Sequence, residues 1–405
     1  MTTPPEIPDE IRSRASSRLG EFLRAESAGA SLLALGALVA LVWANSPWAA
    51  SYDEVWTTRL NLGLPGVGLD LDLRHWINDG LMTLFFFVVG LEIKRELTTG
   101  HLNSRRAAIL PGVAALGGMI IPALVYLAIA GTTEPRGWAI PMATDIALAV
   151  GVLSVVGSRV PASLRAFLLA LAIVDDIGAI VVIAVVYSSG LKLSWLGGAA
   201  AAVLLTLLMR RAKLRSPLVY VIIGAWMWFA LHEAGVHPTI AGVAMGLLAP
   251  VLQYRNSSLI EWLQHALHPW TSFIIVPLFA LANCGIDVSL TGIRDAMSSP
   301  ITWGVGFGLL IGKPLGIVLA SRLAVGLRVA DVPAGGRNRQ LLGVSSAAGI
   351  GFTVAIFITE LALEAPSDQA NAKLAILIAS ILSGAVSLAL LSHRRPTSET
   401  TIHPH

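Results

Sequence analysis

Long apolar runs separated by short polar connections make up most of the chain. Crossing a bilayer as a helix takes about 20 apolar residues, and water-free surroundings favour helices over open strands. The pattern therefore predicts an all-α polytopic membrane protein with about twelve transmembrane helices. The predicted spans are Ala28–Ser46, Asn78–Val89 with an amphipathic extension Gly90–Leu97, Ala107–Ala130, Trp138–Val156, Ser163–Tyr187, Trp195–Met209, Leu218–Leu231, Thr239–Leu252, Thr271–Ala282, Thr302–Ala324, Leu341–Leu363 and Ala372–Leu391.

One stretch, residues 57–75, has a different pattern. Its leucines alternate with polar or small residues on both sides of Pro65-Gly66-Val67-Gly68. Alternation with a period of two across a Pro-Gly turn is typical of a β-hairpin. A lone hairpin is marginally stable in water, and its free edge can pair with a second copy. The segment is therefore either a dimer contact or an ordered loop on the membrane surface.

The composition agrees with a membrane protein. Of the 405 residues, 55% are hydrophobic and 13% are charged, whereas soluble domains carry about 25% charged residues. The net charge is only +3, and the basic residues cluster in loops, which indicates membrane topology and not nucleic-acid binding. Cys284 is the single cysteine, so no intrachain disulfide can form.

The basic residues lie mainly on one side of the predicted bundle. The N-terminal tail, the even-numbered connections and the C-terminus together hold 21 of the 28 basic residues, the opposite side holds six, and Lys313 lies within a span. The positive-inside rule then places both termini in the cytoplasm and favours an even number of spans. The predicted organisation is a cytoplasmic tail over 1–27, a transmembrane domain over 28–392 and a cytoplasmic tail over 393–405.

Two adjacent acids, Asp175 and Asp176, lie near the middle of the span Ser163–Tyr187. A charge at that depth costs roughly 2.5–3.5 kcal/mol on insertion scales. A second acid beside it adds to the cost, because the two carboxylates repel each other. Either buried basic partners neutralise the pair, or protons and a cation compete for the same oxygens. We favour the second interpretation.

Other polar residues also lie inside predicted spans. Pro141 precedes Thr144 and Asp145 in mid-span, which indicates either a helix interrupted at the midplane or a simple proline kink. In an interrupted helix Thr144 can supply an oxygen, and Asp145 can offset positive helix ends. Lys313 is central in its own span and needs a carboxylate partner, either Asp175 or Asp176. Its role is a structural salt bridge or a direct part in transport.

A second interruption is predicted at Gly349-Ile350-Gly351-Phe352-Thr353 in the eleventh span, although glycines also serve close helix packing. Spans three to five and ten to twelve would run in opposite directions, each triplet with an interrupted middle helix. This is the inverted-repeat pattern of secondary transporters, whose binding sites lie near the midplane.

Two groups of polar residues lie near the ends of spans. The segment Gly90–Leu97 alternates charge signs, as a solvated helix end with i,i+4 pairing also does. His237 is near the outer end of the eighth span. Histidine in general titrates near neutral pH, but a single interfacial histidine is usually structural. Asp79 fits a helix cap or a funnel charge better than a ligand.

Six short segments, taken in order, resemble the NhaA-type sodium/proton antiporter family. The resemblance extends from about Ala28 to Ser392 without a large gap. The segments are Gly90–Leu97, Ala143-Thr144-Asp145, Val174-Asp175-Asp176-Ile177-Gly178-Ala179-Ile180, Gly235-Val236-His237, Gly312-Lys313-Pro314-Leu315-Gly316 and Gly349-Ile350-Gly351-Phe352-Thr353.

The resemblance implies a multi-pass antiporter of the bacterial inner membrane with twelve helices, commonly a homodimer joined through the hairpin at 57–75. It implies electrogenic, pH-regulated exchange of cytoplasmic Na⁺ or Li⁺ for external protons, without a bound cofactor. Asp175 and Asp176 would form the cation and proton site, with Asp176 the more central. Thr144 and Asp145 would complete the cation- and proton-binding residues where two broken helices cross. Lys313 would supply the supporting charge by pairing with Asp175.

The resemblance also implies roles in the pH response for Glu92, Arg95, Glu96 and His237. One departure is Gln264, which replaces an acidic residue associated with that response in the family. The surrounding loop, Gln253–Ala266, also has fewer basic residues than the family pattern. These departures concern the pH profile and leave the transport chemistry unaffected.

Three other functions fit parts of the pattern. A sodium-coupled symporter of an organic solute would also use broken helices and midplane acids. An ion channel would give flux without proton counterflow. An intramembrane hydrolase ranks last, because no nucleophile–base spacing or metal-ligand cluster accompanies the buried acids.

Overall fold

The structure, a computed structural model, describes residues 9–64, 67–212, 216–250, 253–254, 257–331 and 338–393. It is almost entirely helical. The helices are α1 Asp9–Ala44, α2 Ala49–Thr57, α3 Leu73–Thr98, α4 Arg105–Ala130, α5 Ile146–Val156, α6 Ala162–Val186, α7 Leu193–Arg211, α8 Pro217–Ala234, α9 Thr239–Leu248, α10 Leu259–Asn283, α11 Leu290–Ser298, α12 Pro300–Gly326, α13 Asn338–Ala348, α14 Phe352–Ala362 and α15 Pro366–Ser392.

Shorter elements interrupt or connect these helices. The 3₁₀ segments are His101–Asn103, Pro135–Met142 and Gly157–Arg159. Short π-helical segments lie within α3 (Trp76–Leu81), α10 (Thr271–Ile275) and α12 (Gly308–Gly312). Strands β1 (Arg59–Leu64) and β2 (Val67–Asp72) pair antiparallel, with Arg59 opposite Asp72 and Leu60 opposite Leu71. They occupy the stretch where alternation predicted a hairpin. A second short pair joins β3 (Gln253–Tyr254) to β4 (Ser257–Ser258).

Nine helical segments in the described ranges are long and apolar enough to cross a membrane, or ten if α13 and α14, bent by 46°, form one span. The apolar helices α8 and α9 are shorter, and α9 has only 10 residues. Each predicted span overlaps a helical segment, and the protein is therefore a multi-pass membrane protein.

Two helices begin earlier than the apolar pattern predicts. Helix α1 starts at Asp9, so most of the predicted N-terminal tail is helical and continuous with the first span. Helix α10 starts at Leu259, where Ser258 and Glu261 form a reciprocal capping box. Capping residues and helix formers extend a helix beyond its apolar stretch, which hydropathy alone does not show. Residues 1–8 and the predicted tail beyond His393 lie outside the described residues.

Close helix packing brings the functional spans together. Helix α4 packs along α12 and contacts both the segment Pro135–Met142 and α6. The contact between α4 and α12 is close because Gly117 and Gly316 meet backbone to backbone, where a Cβ at Gly316 would lie 2.1 Å from Gly117 O. This packing holds Lys313 of α12 near the acids of α6.

Helix α9 packs tightly on α3, and we expect Gly242→Ala to weaken this contact. A Cβ at Gly242 would lie 2.1 Å from Thr83 O, a backbone atom that cannot rotate away. Overpacking of this kind costs about 1–3 kcal/mol, so the thermal unfolding midpoint in detergent should fall. Gly306→Ala is the control, because nothing lies within 4 Å of its Cβ position. Equal midpoints for the two variants would contradict the close packing.

Candidate ion-binding site

Two helix interruptions meet in the interior of the protein. The segment Pro135–Met142 ends before Ala143, and α5 begins only at Ile146. The second interruption lies between Ala348, the end of α13, and Phe352, the start of α14. The two are joined directly, because Asp145 N donates a hydrogen bond of 2.6 Å to Ile350 O. Thus the first site is an interruption and not a simple proline kink.

Glycine is needed at the second interruption because of what surrounds it. A Cβ at Gly349 would lie 2.7 Å from Leu309 O, and one at Gly351 would lie 2.9 Å from the Leu309 side chain and 3.2 Å from Ala143 O. Without side chains, these residues let the backbone approach α12 and the first interruption. The glycine pattern in the sequence therefore reflects a close backbone approach.

Asp145 holds the first turns of both outgoing helices. Its Oδ1 accepts a hydrogen bond of 3.0 Å from Leu148 N in α5. Its Oδ2 accepts bonds of 3.0 Å from Thr353 N and 2.7 Å from Thr353 Oγ1 in α14. A carboxylate is favourable at helix N-termini, where unpaired N–H groups and the positive dipole end meet. One buried charge therefore stabilises two interrupted helices.

The C-terminal carbonyl of the first interrupted segment faces a buried positive charge. Lys313 Nζ donates to Met142 O, the last carbonyl of the first segment, and lies 2.9 Å from Asp175 Oδ2. Both side chains are completely buried. The position of Lys313 in its span left Asp175 and Asp176 open as partners, and the structure selects Asp175, as the family resemblance implied.

Thr144 connects the second interruption with Asp175. Its Oγ1 lies 2.8 Å from Asp175 Oδ2 and 3.0 Å from Ala348 O, and it can donate to either. Asp175 Oδ2 thus contacts both the lysine and the threonine. Asp175 Oδ1 is buried and has no hydrogen-bond partner among the described residues.

Asp176 differs from its neighbour because no cation contacts it in the part of the chain that the structure describes. The residue is 6% exposed, and its buried Oδ1 has no hydrogen-bond partner there. Consecutive helical residues point about 100° apart, so Asp176 faces away from the Lys313 contact.

The arrangement offers hard oxygen atoms to a small cation. Carboxylate, carbonyl and hydroxyl oxygens bind such ions, whereas thiolates and imidazoles select softer metals. Within the described ranges, no three His, Cys, Asp or Glu side chains come together as a metal site. The two acids and the Thr144 hydroxyl are the side-chain oxygens that this site can give to a transient ion.

We expect Asp145→Asn to destabilise the protein. An asparagine amide has a single acceptor oxygen, so its NH₂ group would stand against either Leu148 N or Thr353 N and leave that donor unpaired. Loss of one cap and of the charge-assisted bonds should lower the free energy of unfolding by about 1–3 kcal/mol. Chemical denaturation in mixed micelles would measure the change. Thr353→Ser, which keeps both donors, is the control, and equal stability of the two variants would contradict the capping role.

Three of the four residues that the family resemblance links to a pH response, Glu92, Arg95 and Glu96, lie together near the C-terminal end of α3. Arg95 Nη2 is 3.9 Å from both Glu92 Oε1 and Glu96 Oε1. Arg95 Nη1 also donates a hydrogen bond of 3.1 Å to Gln264 Oε1 of α10. The residue that departs from the family pattern is therefore a direct, uncharged partner of Arg95.

His237 lies apart from this cluster and from the two buried acids. Its Nε2 is 3.3 Å from Asp79 Oδ1, and its Nδ1 is 2.7 Å from Thr239 Oγ1. The ring also stands edge-on to Phe357 of α14, with centroids 5.0 Å apart. His237 is thus not isolated, and Asp79, considered separately in the sequence, is its partner.

Several groups at the site were not found from the sequence. The carbonyls of Met142, Ala348 and Ile350 have no side-chain signal, and only the position of the interruptions could have indicated them. Thr353 was part of a recognised segment, but its bond to Asp145 was not predicted. Its position two residues after Gly351, in the first turn of α14, was the available signal.

Comparison with known proteins decides the family. The model of the Na⁺/H⁺ antiporter 1 family matches residues 20–391. The chain belongs to this family. The match confirms the resemblance drawn from the six segments, which lie within those residues.

The names of individual relatives agree with this family assignment. Na(+)/H(+) antiporter NhaA 2 of Sorangium cellulosum is 45% identical over 415 residues, covering 92% of this chain and 89% of the relative. Na(+)/H(+) antiporter NhaA of Albidiferax ferrireducens is 45% identical over 382 residues, covering 92% and 96%. The solved structure of the sodium proton antiporter MjNhaP1 from Methanocaldococcus jannaschii at pH 8 has a TM-score of 0.51 at 16% identity, covering 94% of this chain and 99% of that one. That likeness shows a shared fold.

Proposed function

We propose that this antiporter exchanges cytoplasmic Na⁺ or Li⁺ for external protons at Asp175 and Asp176. Sodium/proton exchange is the activity of its family and of its named relatives. The observation that carries the proposed site is the Asp176 carboxylate, which is buried, has a free Oδ1 and has no cation beside it in the described structure. Such a group is stabilised by a proton or by a metal cation, and the two compete.

Competition for the carboxylates gives the exchange cycle. When the site is open to the cytoplasm, the acids release protons and bind the cation. When it is open to the outside, protons displace the cation, and the protonated site returns. Lys313 partly balances the second negative charge through Asp175, and Thr144 adds a hydroxyl oxygen. The proposed activity is transport and not enzymatic catalysis, and the ions are cargo and not cofactors.

The proposed exchange is electrogenic, with more than one proton moved per sodium ion. The membrane potential then helps to drive export, because each net charge that crosses gains roughly 2.3 kcal/mol per 100 mV. The two acids provide two proton-binding carboxylates, which supports this stoichiometry. A response to pH is supported by the polar contacts around Glu92, Arg95, Glu96 and His237. We expect Gln264 to alter the midpoint of that response.

The proposed architecture has twelve spans and inverted repeats. One repeat comprises α4, the interrupted span over 135–156, and α6, and the other comprises α12, the bent pair α13 and α14, and α15. The interruptions meet through Asp145 and Ile350, as expected for a site at a repeat interface. The family resemblance supports a bacterial inner-membrane location, and the distribution of basic residues supports both termini in the cytoplasm.

The proposed oligomer is a homodimer joined through the β1–β2 pair. Two strands alone are marginally stable, and pairing with a second copy would extend the sheet. Deleting residues 60–71 should convert the dimer to a monomer in native mass spectrometry of detergent-solubilised protein. Arg59→Ala, which removes only the exposed contact of 2.8 Å with Asp70, should leave the dimer intact. A dimer that survives the deletion would overturn this interface.

The exchange itself can be tested in everted membrane vesicles with a pH-sensitive dye. Respiration acidifies the vesicles, and adding Na⁺ or Li⁺ should release protons and restore the dye signal. Vesicles without the protein serve as the control, and a series of pH values gives the profile. If the folded protein gives no dye response at any pH, the proposed sodium/proton exchange is wrong. Solute-dependent sodium uptake would then favour a symporter, and sodium flux without counterflow would favour a channel.

A further inference from the structure

The buried face of α15 carries three serines whose hydroxyls have no hydrogen-bond partner among the described residues. Ser380, Ser383 and Ser387 are 6%, 0% and 0% exposed. A buried helical serine usually donates to the carbonyl four residues earlier, as Ser345 does to Leu341 O at 2.8 Å. Burying an unpaired hydroxyl costs free energy, so these three need a partner that is not a protein atom.

Ser383 places this row of hydroxyls beside the second helix interruption. Ser383 Oγ would lie 2.9 Å from a Cβ at Gly349, so its hydroxyl faces the non-helical residues between α13 and α14. Positions 380, 383 and 387 share one face of α15 by helical periodicity, and α15 packs on α13. Side chains three or four positions apart are about 5–6 Å from each other. One water molecule, with a hydrogen bond of about 2.8 Å on each side, spans that gap.

A second helix that packs on α13 also carries a buried hydroxyl of this kind. Helix α12 also packs against α13, and its Ser321 is 3% exposed with an Oγ that has no hydrogen-bond partner in the described ranges. The half-helix α13 is itself buried from Leu341 to Ala348 apart from Leu342. Among the described residues, buried hydroxyls without protein partners therefore lie on two of the helices that pack on α13.

The charges around this face favour water and protons over a metal cation. No acidic residue occurs in α15 after Asp368. At the outer end Lys373 is paired with Glu360, and at the inner end Arg339 donates to Ala389 O at 3.2 Å. Neutral hydroxyls without a carboxylate do not replace the hydration of a small cation. They do bind water, which makes two to four hydrogen bonds when buried.

We propose that Ser380, Ser383 and Ser387 hold a file of water molecules beside α13, which gives protons a route from the inner end of α13 to the interruption at Gly349–Gly351. Each water in the file accepts one proton and passes another on, so no atom is gained or lost. At the interruption, Thr144 Oγ1 lies between Ala348 O and Asp175 Oδ2. A proton delivered there is one hydroxyl away from the candidate site. The presence of water rests on this geometry, and its use by protons rests on the proposed exchange.

Radiolytic labelling tests the water directly. X-ray radiolysis converts bound water to hydroxyl radicals, which modify a neighbouring thiol. The chain has one cysteine, so Ser383→Cys and Ser387→Cys can each be made in a Cys284→Ala background and placed in lipid nanodiscs. Val386→Cys, which is 43% exposed and lies outside the buried row of serines, is the matched control. We expect modification about fivefold faster at 383 and 387 than at 386. Equal or slower modification would overturn the proposal.

Alanine variants test the role of the water. Ser383→Ala and Ser387→Ala should slow proton release about tenfold without changing the apparent affinity for Na⁺, because a broken file slows only proton movement. Ser345→Ala is the control, since its hydroxyl is already bonded to Leu341 O. An unchanged rate together with a higher unfolding midpoint for Ser383→Ala would mean a dry, unpaired hydroxyl and would overturn the proposal. If the unmodified protein shows no exchange, the proposed function fails, and the labelling result still decides whether water is present.

Discussion

Replacing Asp176 with asparagine is expected to abolish sodium-dependent proton movement while the protein remains folded. The substitution removes the negative charge that binds either a proton or a cation but preserves the shape of the side chain. Because no cation contacts Asp176 in the described structure and its Oδ1 has no hydrogen-bond partner there, little native interaction is lost. Neutralising a buried, unpaired acid also removes a desolvation cost. The unfolding midpoint should therefore not fall.

Dye recovery in everted vesicles and thermal unfolding in detergent would measure the two expectations separately. Asp53→Asn makes the same chemical change at an exposed position of α2 and should exchange normally. Exchange retained by Asp176→Asn would show that this carboxylate is not the centre of the site. Loss of exchange accompanied by a lower unfolding midpoint would attribute the loss to folding and not to chemistry.

Lys313→Met is expected to give the largest loss of stability among single substitutions at the site. Methionine approximates the length and volume of lysine but has no charge, so Asp175 would remain buried without its ammonium partner at 2.9 Å. Breaking a buried pair from one side costs about 3–5 kcal/mol, because an uncompensated charge remains. The free energy of unfolding should fall by that amount, and less so at low pH, where protonation neutralises Asp175.

A double variant distinguishes the loss of the buried charge pair from poor packing as the cause of the lower stability. Asp175→Asn combined with Lys313→Met removes both charges, and most of the lost stability should return. Lys192→Met is the control, because its contact of 3.4 Å with Glu233 is exposed and contributes about 1 kcal/mol or less. If Lys313→Met were as stable as Lys192→Met, or if the double variant were no better than the single one, the buried pair would not be the cause.

Together these variants distinguish the two adjacent acids. Asp175 is tied to Lys313 and Thr144, so changing it disturbs the structure around both helix interruptions. Asp176 makes none of these contacts in the described structure. The expected outcome is a stability effect centred on the Lys313–Asp175 pair and an activity effect centred on Asp176.

The sequence was sufficient for features that depend on consecutive residues. Hydropathy placed every span on a helical segment, because a run of apolar residues must leave water wherever it folds. The depth of Asp175, Asp176 and Lys313 followed from their places within those runs. The interruption before Asp145 was predicted because proline and the residues after it act on the local backbone. Six segments in order were enough to indicate the family, which the comparisons confirmed.

Only the tertiary structure decided which groups meet. The position of Lys313 within its span did not distinguish Asp175 from Asp176 as its partner. The packing of α12 on α4 places Lys313 beside Asp175. The bonds from Thr353 to Asp145 and from Arg95 to Gln264 join residues of different helices. No local pattern encodes such contacts, since they depend on how helices cross and on backbone carbonyls common to every residue. The sequence thus determined the spans and their buried charges, whereas helix packing determined the partners that make those charges a site.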